Sequence, residues 1–195
     1  HCFGCGESGD IFDAVKFLEG LPSDGPDFIE KTVIPLAERY GIDVKIKEPT
    51  EEEKYRFECY AAYKKAANYI AAHPTKLAIA EMERRGWTPS DCATRLIGSV
   101  DSFDEYSAYM RQSFSASFLI EIDLLKTDLF NQNNLIFTIS DEHGRPCGFG
   151  ARNLLYSKEN KEVPKYINTS AKCPIYEKSK RLYNINIAKR EEDSI

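Results

Sequence analysis

Leu135-Ile136-Phe137-Thr138-Ile139, then Asp141-Glu142-His143-Gly144, then Pro146-Cys147-Gly148-Phe149-Gly150-Ala151-Arg152 decide how this chain is read. The first run is β-branched and aromatic, the composition of a strand. The second is a polar turn that ends in Gly. The third reads as a return strand reaching residue 154, with Gly148 and Gly150 marking a bulge or a close backbone approach. Up to residue 130 the apolar residues instead recur at helical spacing. The period changes there, so the fold class is α+β, helices first and a small β-rich part afterwards.

Working back from the hairpin, the helices announce themselves by their caps. Asp10 can cap a helix whose apolar face is Ile11, Phe12, Val15 and Leu18, and Gly20 breaks it. A second helix is expected over residues 28–40, with a kink or restart at Pro35. Thr50 and Glu53 form a capping box. The helix behind it carries Cys59, Tyr63, Ala66, Ala67 and Ile70 on one face and stops at His73-Pro74. Further helices are expected over 76–85, closing on Gly86, then from Thr88-Pro89, over 103–112 behind a Ser102/Glu105 capping box, and over 117–125. Beyond the hairpin the chain reads as a basic, Tyr- and Asn-rich mixture of short strands and loops.

The bulk properties set the surroundings. With 42% hydrophobic and 29% charged residues in 195, a real core can form. No run approaches the roughly 18 apolar residues of a membrane span, and no charged region followed by an apolar run opens the chain. A start at His1-Cys2 rather than Met reads as a cytoplasmic protein whose N-terminus has been cut away. Of the cysteines at 2, 5, 59, 92, 147 and 173, only the first two are close together. The other four read as small buried hydrophobes in a reducing compartment. The net charge of −5 is segregated. Residues 143–190 hold eleven Lys and Arg against three Glu, a balance of +8, whereas residues 1–142 hold fifteen against twenty-five acids, −10. Such asymmetry suggests a polyanion-facing segment on an acidic support, the alternative being a merely solvated surface.

Three groups of residues carry chemistry. Cys2-Phe3-Gly4-Cys5-Gly6 has the spacing of a zinc knuckle, with two thiolates able to reach one tetrahedral ion. A redox dithiol is the other reading, but the βαβ pattern that accompanies one is not visible. Gly148-Phe149-Gly150-Ala151-Arg152 can hold a phosphate, Arg giving a bidentate fork, although a plain hairpin with an exposed Arg has the same composition. Pro164-Lys165-Tyr166-Ile167-Asn168-Thr169 and Tyr176-Glu177-Lys178-Ser179-Lys180-Arg181-Leu182-Tyr183 interleave basic and aromatic residues as a single-strand binder would. Half-buried tyrosines among solvated lysines are the alternative.

Taken in order, these motifs resemble the bacterial and phage DNA primases that work with the replicative helicase. The likeness covers nearly the whole chain. It includes His1 to Gly6 followed by Gly9-Asp10, Leu36-Ala37-Glu38-Arg39-Tyr40-Gly41-Ile42, Arg85-Gly86-Trp87-Thr88, Ile97-Gly98, residues 135–139, residues 148–152, residues 164–169 and residues 178–183. The sequence departs from the family at Asn134, where the strand motif has Arg, at Thr138, where it has Pro, and at Ala151, where it has Gly. The family's upstream Cys-x-x-His is absent.

The resemblance implies an internal fragment. Residues 1–46 would be the C-terminal part of a zinc-ribbon domain, 47–52 a linker, and 53–195 the N-terminal subdomain of the RNA polymerase region. The catalytic TOPRIM acids would lie beyond residue 195, so the fragment alone is expected to be inactive. The full protein would join ribonucleoside triphosphates on a single-stranded DNA template with Mg2+ or Mn2+, beside a replicative helicase and away from membranes. Cys2 and Cys5 would be half of a Zn2+ site. Arg152, Lys165 and Lys178 would meet phosphates, Tyr166 and Asn168 would position a nucleotide, and Arg85 would join that surface. The competing reading is a non-catalytic zinc-ribbon module that binds single-stranded nucleic acid.

Overall fold

The structure is a computed structural model that describes all residues except 2, 3, 5, 7, 26, 46, 158, 160–162, 171, 172, 181, 182 and 193–195. It divides into two compact units, His1–Glu48 and Pro49–Ile195.

In the first unit, α1 (Ile11–Glu19) begins where the sequence predicts. Asp10 Oδ1 accepts the N–H groups of Phe12 at 2.7 Å and Asp13 at 3.1 Å, and Asp13 accepts the Asp10 N–H at 3.0 Å. Two free donors of the first turn are thereby satisfied, together with the amide of the cap itself. Gly20 ends the helix at φ 69, a left-handed conformation that costs glycine little. Of the expected apolar face only Val15 is buried; Leu18 is 77% exposed. The second helix is built differently from a kinked α-helix. A π-helical turn, Ile29–Val33, leads into α2 (Ile34–Arg39). Pro35 offers no N–H, and its ring crowds the carbonyl four residues earlier. The wider turn accommodates it, with the Ile34 N–H reaching back to Ile29.

The second unit is organised by α3 (Glu51–Ala72), which carries the predicted Thr50/Glu53 box. Cys59, Ala62, Tyr63, Ala66, Ala67 and Ile70 form its fully buried stripe, at the three-and-four spacing of one helix face. After it come α4 (Lys76–Arg84), α5 (Pro89–Thr94), β1 (Ile97–Gly98), α6 (Phe103–Arg111) and α7 (Ala116–Glu121). The remaining elements are β2 (Asn134–Ser140), β3 (Pro146–Asn153), β4 (Tyr166–Asn168), a 3-10 turn Lys178–Lys180 and α8 (Ile185–Glu192). The four strands form one antiparallel sheet in the order β1-β2-β3-β4.

Register sorts the side chains between the two faces. Gly98, Ile136, Ala151 and Ile167 stand in one cross-strand row. With Phe149 they face α3. Phe149 stacks on Tyr63 at 5.4 Å between centroids and meets Phe130 edge-on at 5.5 Å. Gly98 lies against the backbone of Ile70, and a Cβ there would run into the Ile70 carbonyl. The expected glycine-marked irregularity is a bulge. Ile139 pairs with Gly148 and Ser140 with Pro146, leaving Cys147 extra.

The β2–β3 turn is tied to α3 by a buried carboxylate. Asp141 accepts the N–H groups of His143 (3.0 Å) and Arg145 (2.9 Å), the Arg145 Nε (2.8 Å) and the Tyr60 hydroxyl (3.1 Å). Burial pushes its carboxyl up, but these donors outweigh burial and hold it below the usual range.

Several expectations need correcting. β1 lies inside what reads as a purely helical stretch. Helices and sheet therefore share one core, in place of a helical segment followed by a β-rich subdomain. Ser102 accepts the Glu105 N–H, but no return bond from Glu105 accompanies it. The helix expected over 117–125 ends at Glu121, because Asp123 at φ 62 has left helical space. Beside the expected short strand, β4, and loops, the basic tail also holds a 3-10 turn and α8. Cys59, Cys92, Cys147 and Cys173 are buried. Among the described residues no helix is long and apolar enough to cross a membrane.

Two variants test this packing. Gly98→Ala should lose about 3 kcal/mol in urea unfolding, from forced separation of β1 and α3. Asp141→Ala should lose about 2 kcal/mol by leaving the turn amides of His143 and Arg145 and the half-buried Tyr60 hydroxyl without their buried acceptor. Because the native Asp141 carboxyl titrates below its unfolded value of about 3.9, its contribution is fully present above that pH. It disappears as pH falls through the native value. The acid limb of a melting-temperature profile should therefore flatten in Asp141→Ala.

Candidate functional site

The sheet face turned away from α3 is built from the alternate residues. One cross-strand row is Leu135, Arg152 and Tyr166; the next is Ile97, Phe137, Gly150 and Asn168. Three of the residues singled out in the sequence, Arg152, Tyr166 and Asn168, thus share one face on adjacent strands.

Arg152 sits among rings. Its guanidinium carbon is 5.3 Å from the Tyr166 ring centre and 5.8 Å from that of Tyr156. Lys165 Nζ lies 5.6 Å and 5.9 Å from the same two rings. Cation–π attraction holds these side chains without neutralising them. Among the described residues no carboxylate pairs with either cation. Arg152 Nη1 is buried and has no hydrogen-bond partner among them. An unsatisfied buried donor on a charged group costs free energy unless something accepts from it. Lys165 itself is placed by its backbone carbonyl, which accepts the Asn153 N–H at 3.1 Å.

Beside this cluster Gly150 leaves a gap in its row. A Cβ there would sit 3.2 Å from the Asn168 Oδ1, so the Asn168 amide lies over bare backbone. The face therefore offers two cations, two rings and an amide around a shallow floor. Such a surface suits an anionic chain bearing flat rings.

The other predicted residues fall elsewhere. Arg85 is at the end of α4, bonded to Glu81 at 2.7 Å and lying 5.0 Å over the Trp87 ring. It borders a separate cleft with Phe137. Lys178 is exposed on the 3-10 turn and makes none of the ring contacts of the Arg152 cluster. Cys2 and Cys5 lie outside the described residues. Tyr156 was not singled out in the sequence; its position in the basic, Tyr-rich segment was the available signal.

Residues 59–189 match the family model described as the DNA primase catalytic core, N-terminal domain. The chain belongs to this primase family. Among its relatives, the DNA primase of Deinococcus radiodurans is 32% identical over 198 residues, covering 97% of this chain and 32% of that protein. The DNA primase of Geobacillus stearothermophilus is 27% identical over 211 residues, covering 97% and 33%. The chain thus spans about a third of the length of these primases. Among solved structures, the zinc-binding and RNA polymerase domains of the Aquifex aeolicus primase superpose with a TM-score of 0.61 at 23% identity, over 99% of this chain and 46% of that one. A DnaG primase catalytic domain solved bound to ssDNA gives 0.58 at 23% identity, over 71% and 46%. At such identities the superpositions show that the fold is the primase fold.

Beside the separate cleft, Glu81 carries a pH signature of its own. Hydrogen bonding from Arg84, against an opposing effect of burial and with help from Arg85, holds the Glu81 carboxyl down to about 2. A depressed native value means that the stabilisation is complete above the unfolded value of about 4.3 and is lost as pH falls toward 2. Across that window the melting temperature of the unmodified chain should fall more steeply than that of Glu81→Gln.

Proposed function

We propose that the face carrying Arg152, Lys165, Tyr166 and Asn168 binds the template strand and the incoming nucleotide in a DNA primase. The whole protein would lay down short RNA primers on single-stranded DNA during replication, in the cytoplasm and beside a replicative helicase. The observation that carries this reading is the buried Arg152 Nη1 without a partner, beside Lys165 and between two tyrosines. A phosphate oxygen would satisfy that donor with a charge-assisted bond. Lys165 would supply a second, movable charge. Tyr166, 56% exposed, would stack on a base, and Asn168 would bond a base or sugar edge above Gly150. Lys178 would extend the phosphate track and Arg85 would flank it.

In this reading the face binds and orients. Among the described residues no group of three or more His, Cys, Asp or Glu could hold a metal ion. The acidic ligands for Mg2+ or Mn2+, which would activate the 3′-hydroxyl and stabilise the leaving pyrophosphate, belong to the rest of the proposed enzyme. Residues 1–46 would close a zinc ribbon with Cys2 and Cys5 as two of its thiolate ligands, 47–52 would link, and 53–195 would form the polymerase region's N-terminal subdomain.

Lys165→Ala and Arg152→Ala test the proposal at two levels. In the whole protein each should sharply reduce primer synthesis on single-stranded DNA. In the 195-residue chain each should weaken single-strand binding and lower the slope of log affinity against log salt by about 0.7, the loss of one phosphate contact. Normal priming by both variants would overturn the assignment. Salt-dependent binding by a whole protein that never primes would favour the non-catalytic binding module.

A further inference from the structure

The reading above uses only Arg85, at the rim, of the cleft at the other end of the same sheet face. It has a volume of about 410 Å³, within the range of small-molecule sites. Phe137 rises from β2 into it. Trp87 meets the Phe137 ring at 6.1 Å and 83°, and Tyr183 meets the same ring at 6.4 Å and 84°. Two rings thus stand nearly perpendicular to a third. All three remain accessible, Tyr183 being 45% exposed.

The polar lining is Arg85, Arg95, Asp91 and Asn184, and each of its two cations already has an acid partner. Arg85 is paired with Glu81, and Arg95 with Asp91 at 3.2 Å. Asp91 is also fixed in place: one of its oxygens accepts the Thr88 hydroxyl at 2.6 Å and the Thr88 N–H at 3.1 Å, while the other faces Arg95. The cleft therefore offers fixed donors and an acceptor, with both lining cations already engaged by acids. A flat, neutral ring with donors and acceptors on its edge fits that description; an anion does not.

We infer that this cleft takes an unpaired nucleobase, packed against Trp87, Phe137 and Tyr183, with Arg95 and Asp91 reaching its edge. The inference rests on the reading of the sheet face as a single-strand track. Phe137 and Asn168 stand in one cross-strand row, so a strand crossing that row would deliver a base to the cleft while its phosphates pass Arg152.

Trp87 is the single tryptophan of the chain, so its emission reports on the cleft directly. The 195-residue chain would be titrated with oligodeoxythymidylate and with an abasic strand of equal length. Trp87 emission would be read beside the anisotropy of a label on the strand. The expected result is quenching by the base-bearing strand only, although both strands bind. Tyr183→Ala, its fold checked by circular dichroism, should weaken binding of the thymidylate strand by about fivefold or more and leave the abasic strand unchanged.

Equal quenching by both strands, or binding of both without quenching, overturns the inference. If neither strand binds, the reading of the sheet face fails instead. In that case quenching by free thymidine monophosphate retains the cleft as a base site, and absence of quenching removes it as well.

Discussion

The contact on which the second unit depends is the close approach of α3 to β1. With no side chain at Gly98, the sheet lies directly on the backbone of Ile70, and the Ser99 N–H bonds the Ile70 carbonyl at 3.3 Å. The Ser99 hydroxyl also accepts the Thr75 N–H at 2.6 Å and reaches the Thr75 hydroxyl at 3.2 Å. The end of one helix, the start of the next and the first strand are joined at one point. Once that distance is set, Phe149 meets Tyr63 and Phe130, and Tyr106 stacks on Phe130 at 4.9 Å. The other face is covered only in part, where Ile97 and Leu135 pack with Ala78, Met82 and Cys92, and it also carries Arg152, Tyr166 and Asn168.

On that face Arg152 and Lys165 give an acidic chain a local cationic patch. At physiological salt, exposed charges more than about 8 Å apart scarcely feel one another. The charge that matters is therefore local: Arg152 and Lys165 lean on rings, whereas many cations elsewhere lean on acids. Arg39 is held by Glu19, Arg84 and Arg85 by Glu81, and Arg145 by Asp141. Net charge cannot register this distinction, because it counts paired and unpaired cations alike.

What was legible in the sequence follows the range of the forces involved. The caps at Asp10, Thr50 and Thr88 were readable because donor and acceptor lie within three residues of each other. The β2–β3 hairpin was readable because its pairing is local. β1 was not, since two residues carry no period and their partners, Ile136 and Phe137, lie nearly forty positions away. α8 was missed because its apolar residues, Ile185, Ile187 and Ala188, all fall in its first half, too short a run to show a period. At the candidate site, the basic and aromatic composition of residues 148–183 pointed to segments that the sheet brings together on one face. The grouping of Arg152 with Tyr156, Tyr166 and Lys165 needed the register, and a slip of one residue would have turned Tyr166 to the other face.

The placement of β1 has a consequence for how the sheet assembles. β2 and β3 are joined by a short turn and can pair while the rest of the chain is disordered. β1 reaches β2 only after residues 99–133 have been closed into a loop, which by loop length alone costs roughly 2 kcal/mol more in chain entropy than closing the hairpin. The hairpin is therefore the early element and β1 the late one. Read in reverse, transient opening of the native chain begins where a two-residue strand meets a helix end. Amide hydrogens there should exchange before those at the centre of the β2–β3 pair, and the Phe137 side of the sheet should loosen before the Arg152 side.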